Sequence, residues 1–206
     1  MGTTEKISTA LPTPTGMDLS AALDTQLNKA KLGDPESFSE IYDRYVARIF
    51  NFALHLVGSR EDAEDITQEA FLQAYRNLKD LRDHAHFEQW LYKIARNEIY
   101  KSQRKTRLRP DSLDDAEKGI IHILKSPDPA GNPENKLLSG ELGEKIKAIF
   151  RSLPMQYKET LVLATLQGLS YQEISGIMGR SLSSVKTDVY RARLMISEKM
   201  RKYSSV

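Results

Sequence analysis

The sequence predicts an all-α protein made of two small helical domains joined by a flexible acidic linker. Apolar residues recur every three or four positions through most of the chain, which is the period of an amphipathic helix. No segment alternates apolar and polar residues for long enough to form a strand. Residues 110–135 contain four prolines and six acidic residues against two lysines, a net charge of −4, which is typical of a linker.

Length and composition exclude several classes of protein. The chain has 206 residues, which suggests one or two domains and is too short for a barrel enzyme of about 250 residues. It has no cysteine, which excludes a disulfide scaffold and a thiolate metal site. Its 30 Lys and Arg against 28 Asp and Glu give a net charge of +2, so total charge identifies no partner. Because it has neither a membrane-length apolar run nor a secretory signal, we expect a cytoplasmic protein without membrane insertion.

A disordered tail is expected over residues 1–18, because this stretch has low hydrophobicity and no apolar period. The first domain is expected over residues 19–109. Asp34 followed by Pro35 predicts the N-cap and the first residue of a long helix, since both residue types favour those positions. Gly58 is expected to end that helix.

The second helix is predicted to begin at a capping box formed by Ser59 and Asp62. Its polar side is acidic. The helix dipole favours acids in a first turn, which accounts for Glu61 and Asp62. Acids that continue to Glu69 instead indicate a basic protein partner, and the residues alone leave both interpretations open.

A third helix is predicted from Phe87 to about Arg107, after a short polar loop at residues 79–86. Residues 87–109 hold seven Lys and Arg against two Glu, a net charge of +5. Basic groups beside a tyrosine suit a surface that follows a nucleic-acid backbone and stacks on unpaired bases. The apolar side of the helix consists of Phe87, Trp90, Leu91 and Ile94. The basic side consists of Lys93, Arg96, Asn97, Tyr100, Arg104 and Arg107.

The second domain is expected over residues 136–206. Helical periodicity resumes near Leu137, Pro154 opens a further helix, and Gly168 ends it. The helix before Pro154 is expected to pack through Ile146, Ile149, Phe150 and Leu153.

Residues 169–196 show the features of a helix-turn-helix. Ser170 and Glu173 form a capping box, Gly179 lies in the turn, and Ser181 can cap the second helix. Residues 180–202 hold seven Lys and Arg against two acids, a net charge of +5 that suits DNA phosphates. The alternative is a basic helical hairpin with a solvated face. The outward side of the second helix carries Ser184, Lys186, Thr187, Tyr190, Arg191 and Arg193.

Three motifs carry a family resemblance: DAEDITQEAFLQAYRNL at residues 62–78, FEQWLYKIARNEIYKSQRK at 87–105 and VKTDVYRARL at 185–194. Together they resemble bacterial RNA polymerase sigma factors of the extracytoplasmic-function (group 4) subfamily. The resemblance implies a domain similar to sigma region 2 and a helix-turn-helix domain similar to sigma region 4.

The resemblance also implies roles for individual residues. One set would dock on the beta-prime clamp of core polymerase: Asp62, Glu64, Asp65, Gln68 and Glu69. A second set would contact the minus-ten promoter element: Lys93, Arg96, Asn97, Tyr100, Lys101, Arg104 and Lys105. A third set would contact the minus-thirty-five element: Ser184, Lys186, Thr187, Tyr190, Arg191 and Arg193. The loop at residues 79–86 would capture a flipped base, and the linker would thread through polymerase.

Some positions depart from the family pattern. Asp188 stands where a basic residue is usual, and an acid beside the groove is expected to repel phosphate or to accept from a cytosine amino group. Leu81 and Asp83 stand where an aromatic residue and a glycine are common in the loop.

The expected function is therefore that of a sigma factor, with core polymerase (its beta-prime and beta subunits), promoter DNA and an anti-sigma factor as partners. No catalytic residue, cofactor or metal is expected. A helix-turn-helix regulator that does not engage polymerase is the alternative, but it leaves the acidic helix unexplained. A helical enzyme is a third class, yet the four histidines lie in no H-E-x-x-H spacing.

Overall fold

Every regular element in the described part of the chain is helical, as predicted. The computed structural model describes the backbone of residues 16–107, 146 and 148–204. No strand occurs among these residues. The predicted linker at residues 110–135 and the start of the helix near Leu137 lie outside the described residues.

The first of two compact units ends at Ile41 and contains α1 (Gly16–Lys31). Residues 16–18, which the sequence assigned to the tail, are therefore helical, because the helix begins once the chain has passed the last proline of the tail. The Gln26 side-chain amide donates to Glu40 Oε2 at 2.6 Å, which links α1 to the start of the next helix.

The second helix, α2, spans Pro35–Val57, as the Asp34–Pro35 pair predicts. Asp34 Oδ2 accepts from the Ser37 hydroxyl and from the Ser37 backbone N–H, the latter at 3.2 Å. These hydrogen bonds hold the pKa of the Asp34 carboxyl below its ordinary value. Gly58 follows the helix with φ of +81°, a left-handed conformation that ends it.

In the second unit, residues 42–57 of α2 pack with α3 (Arg60–Asn77) and α4 (Phe87–Arg107). Edge-to-face aromatic pairs with ring centroids 4.7–5.4 Å apart join these helices: Tyr42–Phe71, Tyr45–Phe87 and Phe52–Tyr92. Two single-turn 3₁₀ helices, Leu78–Asp80 and His84–His86, connect α3 to α4.

The buried side of α4 differs from the predicted one. Phe87 and Leu91 are buried, but Trp90 and Ile94 are only half-buried. Tyr92 is fully buried instead, because its ring packs against α2. The buried stripe is therefore rotated around the helix axis relative to the prediction.

Three further helices form the C-terminal part of the described chain: α5 (Met155–Thr165), α6 (Tyr171–Met178) and α7 (Leu182–Ser204). A short helical stretch at residues 148–151 precedes them. Ile149 and Leu153 are buried there as predicted, whereas Ile146 is 43% exposed, so its assignment to the core was wrong. Leu153 packs with Leu161 of α5 and Ala192 of α7 in one apolar cluster.

Candidate nucleic-acid interface

The polar side of α3 carries the five residues predicted to bind polymerase. None of the five is fully buried: Asp62, Glu64, Asp65, Gln68 and Glu69. Ser59 accepts from the backbone N–H of Asp62 at 3.2 Å and so fixes the start of the helix. Glu64 pairs with Arg60 at 2.7 Å within the helix, while Asp65 and Gln68 are exposed beside it. The five therefore form one acidic surface along α3.

Two apolar residues extend this acidic surface, and the sequence reasoning missed them. Leu72 is 42% exposed and Tyr75 is 48% exposed. They follow Gln68 at spacings of four and three residues, which places all three on one side of the helix. The same helical spacing could have identified them. The surface is thus acidic at the N-terminal end of α3 and apolar at its C-terminal end.

The basic side of α4 is only partly exposed. Five of its seven predicted DNA contacts are exposed: Lys93, Asn97, Lys101, Arg104 and Lys105. Arg96 and Tyr100 are half-buried, because both contact Glu159 of α5. The structure thus separates the predicted set into an open group and a covered pair.

Glu159 is the partner of that covered pair, and its side chain is fully buried. Its Oε1 forms an ion pair with Arg96, and its Oε2 accepts from the Tyr100 hydroxyl at 3.1 Å. The Arg96 guanidinium also lies over the Tyr100 ring, 4.8 Å from its centroid. Burial raises the pKa of Glu159, and the positive charge of Arg96 offsets part of that effect. Glu159 is the one acid in α5, and that was the available signal in the sequence.

A second polar cluster joins α4 to the turn after α5. The Tyr92 hydroxyl donates to Gln167 Oε1 at 2.7 Å, and Arg48 donates to the Gln167 carbonyl at 3.3 Å. Arg48 also forms an ion pair with Glu88 at 2.5 Å. Burial raises the pKa of Glu88, and the ion pair with Arg48 offsets part of that effect. Two polar clusters therefore hold α4 against the C-terminal helices.

The helix-turn-helix forms as its residues predict. The Ser170 hydroxyl accepts from the backbone N–H of Glu173, and the Glu173 carboxylate accepts from the backbone N–H of Ser170 at 2.7 Å. Gly179 ends α6 with φ of +64°, where a residue with a Cβ is strained. The Ser181 hydroxyl then accepts from the backbone N–H of Ser184 at 3.2 Å, which caps α7.

The outward side of α7 is open. Val185, Val189 and Ala192 are buried and fix the rotation of the helix. Ser184 is half-buried, and the other predicted contacts are exposed: Lys186, Thr187, Tyr190, Arg191 and Arg193. This arrangement provides a basic surface that can enter a DNA groove.

Asp188 does not lie on that outward side. It is 2% exposed, pairs with Arg180, and accepts from the Gln156 side-chain amide at 2.8 Å. The expectation that it faces the groove was wrong, because α7 turns this position toward α5. Its charge is balanced inside the domain.

The loop before α4 is also ordered by its own side chains. Leu81 is 6% exposed and so belongs to the core. Asp83 accepts from the backbone N–H of Ala85 at 2.9 Å and contacts His86 Nδ1 at 2.8 Å. The bond to His86 holds the pKa of Asp83 below its ordinary value.

Comparison with known families identifies both helical groups. Residues 41–109 match the family model for sigma-70 region 2, and residues 143–196 match that for sigma-70 region 4. Among the helices described here, none is long and apolar enough to cross a membrane.

Two solved structures share the fold. CnrH in complex with the cytosolic domain of CnrY matches with a TM-score of 0.64 at 20% identity, covering 88% of this chain and 98% of that one. The sigma factor RpoE in complex with the anti-sigma factor NepR from Bartonella quintana matches with a TM-score of 0.60 at 20% identity, covering 81% and 98%.

Curated relatives are closer in sequence. The ECF RNA polymerase sigma factor SigW of Bacillus subtilis is 32% identical over 180 residues, covering 85% of this chain and 95% of the relative. SigE of Mycolicibacterium smegmatis is 31% identical over 170 residues, covering 82% of this chain but only 63% of the longer relative. The ECF sigma-E factor of Escherichia coli is 32% identical over 177 residues, covering 85% and 92%. The chain therefore belongs to the extracytoplasmic-function subfamily of RNA polymerase sigma factors.

Proposed function

We propose that this chain is the dissociable subunit that brings core RNA polymerase to a promoter and helps to melt the DNA. The observation that carries the proposal is the combination of one acidic helix, α3, with two basic helices, α4 and α7, in a member of this family. An acidic surface suits a basic protein partner, and basic helices suit DNA. Polymerase performs the nucleotidyl transfer, so the chain needs no catalytic residue of its own.

The proposed polymerase contact is the acidic surface of α3, made by Asp62, Glu64, Asp65, Gln68 and Glu69. The exposed Leu72 extends this contact, since an apolar group beside charged groups adds buried area at a protein interface. We assign the surface to the beta-prime clamp, as the resemblance implies.

The proposed minus-ten contact is the basic side of α4. Asn97 is exposed there and can bond a base edge once the strands separate. The remaining members of this set provide phosphate contacts and a stacking ring: Lys93, Arg96, Tyr100, Lys101, Arg104 and Lys105.

The proposed minus-thirty-five contact is the outward side of α7. Lys186 and Arg191 are the proposed base-reading residues, since both can contact guanine O6 and N7. Arg193 is the proposed phosphate anchor. Ser184, Thr187 and Tyr190 complete the set.

The domain boundaries follow from these assignments as proposals. We assign residues 19–109 to polymerase and minus-ten binding, residues 110–135 to the linker, and residues 136–206 to minus-thirty-five binding. We place the protein in the cytoplasm, where polymerase and the chromosome are found. An anti-sigma factor is the proposed regulatory partner, because RpoE was solved bound to one.

The test of polymerase docking reverses Asp62 and Asp65 to Lys. Like charges facing a basic clamp cost several kcal/mol, so co-elution with core polymerase should be lost. The matched control reverses Glu36 and Asp43, which are exposed acids of α2 outside α3, and it should keep the wild-type affinity for core polymerase.

Circular dichroism checks that both variants remain helical. If the Asp62 and Asp65 variant retains the wild-type affinity for core polymerase, the docking assignment is wrong. If wild type itself neither co-elutes with core polymerase nor supports selective initiation, the chain is instead a regulator that acts on DNA alone.

A further inference from the structure

A buried carboxylate lies beneath the N-terminal turns of α7, and the proposed function does not use it. Asp188 is 2% exposed, and both of its oxygens are engaged. Oδ1 accepts from the Gln156 side-chain amide at 2.8 Å, and Oδ2 pairs with Arg180. A buried charge is stabilised only by such partners. The Asp188 carboxylate therefore holds the Arg180 guanidinium in a fixed position.

The backbone of Arg180 is fixed as well. Its N–H donates to the Ser175 carbonyl at 3.2 Å, and its carbonyl accepts from the Ser175 hydroxyl. The left-handed Gly179 sets the direction of the chain just before it. Both the main chain and the side chain of Arg180 are therefore held in one place.

Arg180 faces the same surface as the proposed DNA contacts. It lines an open depression of about 240 Å³, together with Gln156, Ser183, Ser184, Thr187, Asp188 and Arg191. The Arg180 side chain is 33% exposed, whereas that of Asp188 is 3% exposed. A group that approaches from solvent therefore meets the guanidinium before the carboxylate.

The chemistry of this arrangement suits a phosphate. A guanidinium has five N–H donors in a rigid fork, and the contact with Asp188 is made by one terminal nitrogen. The remaining donors can bond phosphate oxygens in the charge-assisted geometry that arginine favours. We propose that Arg180 contacts a phosphate of promoter DNA and that Asp188 is its positioning residue.

This inference rests on the proposed role of α7 in DNA binding. The competing explanation is that Arg180 only neutralises Asp188. The two explanations differ once the charge at position 188 is removed, because Arg180 then has nothing left to neutralise.

The experiment compares Asp188→Asn with the double variant Asp188→Asn/Arg180→Ala in the full chain. Asparagine keeps the size of the side chain and can still accept from Gln156, so the double variant leaves no unpaired buried charge. Binding to a short fluorescein-labelled duplex of mixed sequence is measured by anisotropy over a range of salt concentrations. Because phosphate contacts act on every sequence, no promoter needs to be known.

We expect removal of Arg180 to weaken binding in the Asp188→Asn background and to lower the salt slope by about one. The loss should therefore be about three- to fourfold larger at 50 mM than at 200 mM salt. Arg180→Lys in the same background should restore the slope. If the double variant binds as Asp188→Asn does at every salt concentration, Arg180 only neutralises Asp188 and the proposal is wrong.

Lys199→Ala in the Asp188→Asn background is the matched control. It removes one positive charge from α7 at a residue that contacts Ser152, away from the depression. Its salt slope should equal that of Asp188→Asn, and an equal drop in slope for the control and the double variant would overturn the proposal.

The positioning role has a separate readout. Nitrogen NMR should resolve the individual N–H signals of the Arg180 guanidinium in wild type, because Asp188 restrains its rotation. Averaged signals are expected in Asp188→Asn, and averaged signals in both proteins would overturn the positioning role. The proposed function is tested independently, by whether wild type with core polymerase initiates selectively.

Discussion

The two basic helices, α4 and α7, carry the same charge but differ in what covers them. Residues 87–109 and residues 180–202 each have a net charge of +5. On α4, Arg96 and Tyr100 are engaged by the buried Glu159. On α7, the predicted contacts from Lys186 to Arg193 are exposed. Charge density therefore indicates a candidate DNA-binding helix, but it does not establish that the helix is accessible.

The covered pair sets a condition for DNA binding through α4. The side chain of Arg96 is 24% exposed, and its ion pair with Glu159 competes with any phosphate for the same guanidinium. The ion pair uses Arg96 Nε, and the exposed part of the side chain can still meet a phosphate, so release from α5 is required only for full access to Arg96 and Tyr100. No such release is needed for the exposed residues of α7.

The largest effect is expected from Glu159→Lys, which places two positive charges in contact at Arg96. Like charges at an interface cost several kcal/mol, so α4 should separate from α5. The chain has no cysteine, so spin labels at Glu61→Cys and Gln172→Cys can report the separation. Both positions are exposed. The distance between the labels should lengthen and its distribution broaden.

Glu98→Lys is the control for that prediction. It makes the same change of charge on α4, at a residue that pairs with Lys101 of the same helix at 3.1 Å. The distance between the labels should remain that of the chain that carries only the two label cysteines. An unchanged distance in Glu159→Lys would mean that the Arg96–Glu159 pair does not hold the two helices together.

The next largest effect is expected from Arg191→Ala. Its DNA affinity is compared with that of Arg96→Ala in the chain without polymerase. A guanidinium that reads guanine contributes about 1–3 kcal/mol of discrimination, so Arg191→Ala should weaken binding to preferred duplex DNA by this amount. Arg96→Ala should cost less, because Glu159 already occupies that guanidinium. Anisotropy with labelled duplexes measures both affinities. Equal losses would show that α4 is as accessible as α7.

A smaller effect is expected from Tyr92→Phe. The change removes only the hydroxyl that donates to Gln167 and leaves the ring 5.3 Å from that of Phe52. One hydrogen bond contributes about 0.5–1.5 kcal/mol to stability. The distribution of the distance between the labels should therefore broaden slightly. Tyr42→Phe is the control, because this ring is partly exposed and packs on Phe71. Equal label-distance distributions in the two variants would mean that the Tyr92–Gln167 hydrogen bond does not help to hold α4 against the turn after α5.

The smallest effect is a dependence of stability on pH. Burial raises the pKa of Glu159 above its ordinary value of 4.5, so the folded state binds this proton more tightly than the unfolded state does. The stabilisation that the proton on Glu159 provides is complete below pH 4.5, and it is lost as pH rises through the raised pKa. Urea unfolding should therefore show wild type losing stability relative to Glu159→Gln as pH rises from below 4.5 towards neutral, because the neutral glutamine side chain does not titrate. A difference that is independent of pH would contradict this prediction.

Local chemistry in the sequence predicted the elements of the fold. Asp34 with Pro35, Ser59, Ser170 with Glu173, and Gly179 each act on the backbone within a few residues of their own position. For that reason, the starts of α2, α3 and α6 and the helix-turn-helix geometry followed from the sequence. The family itself could also be identified, because the motifs on α3, α4 and α7 are continuous.

Tertiary structure alone decided which of these residues are covered. Arg96 and Glu159 are 63 positions apart, and helical periodicity carries no information about a partner at that separation. The burial of Tyr92 and the inward direction of Asp188 likewise depend on the rotation of α4 and α7 against neighbouring helices. The sequence by itself determined the helices, their charge and their family, because those properties are local. Access to the basic side of α4 was decided by packing, because a buried carboxylate is stabilised by whichever cation the fold brings to it.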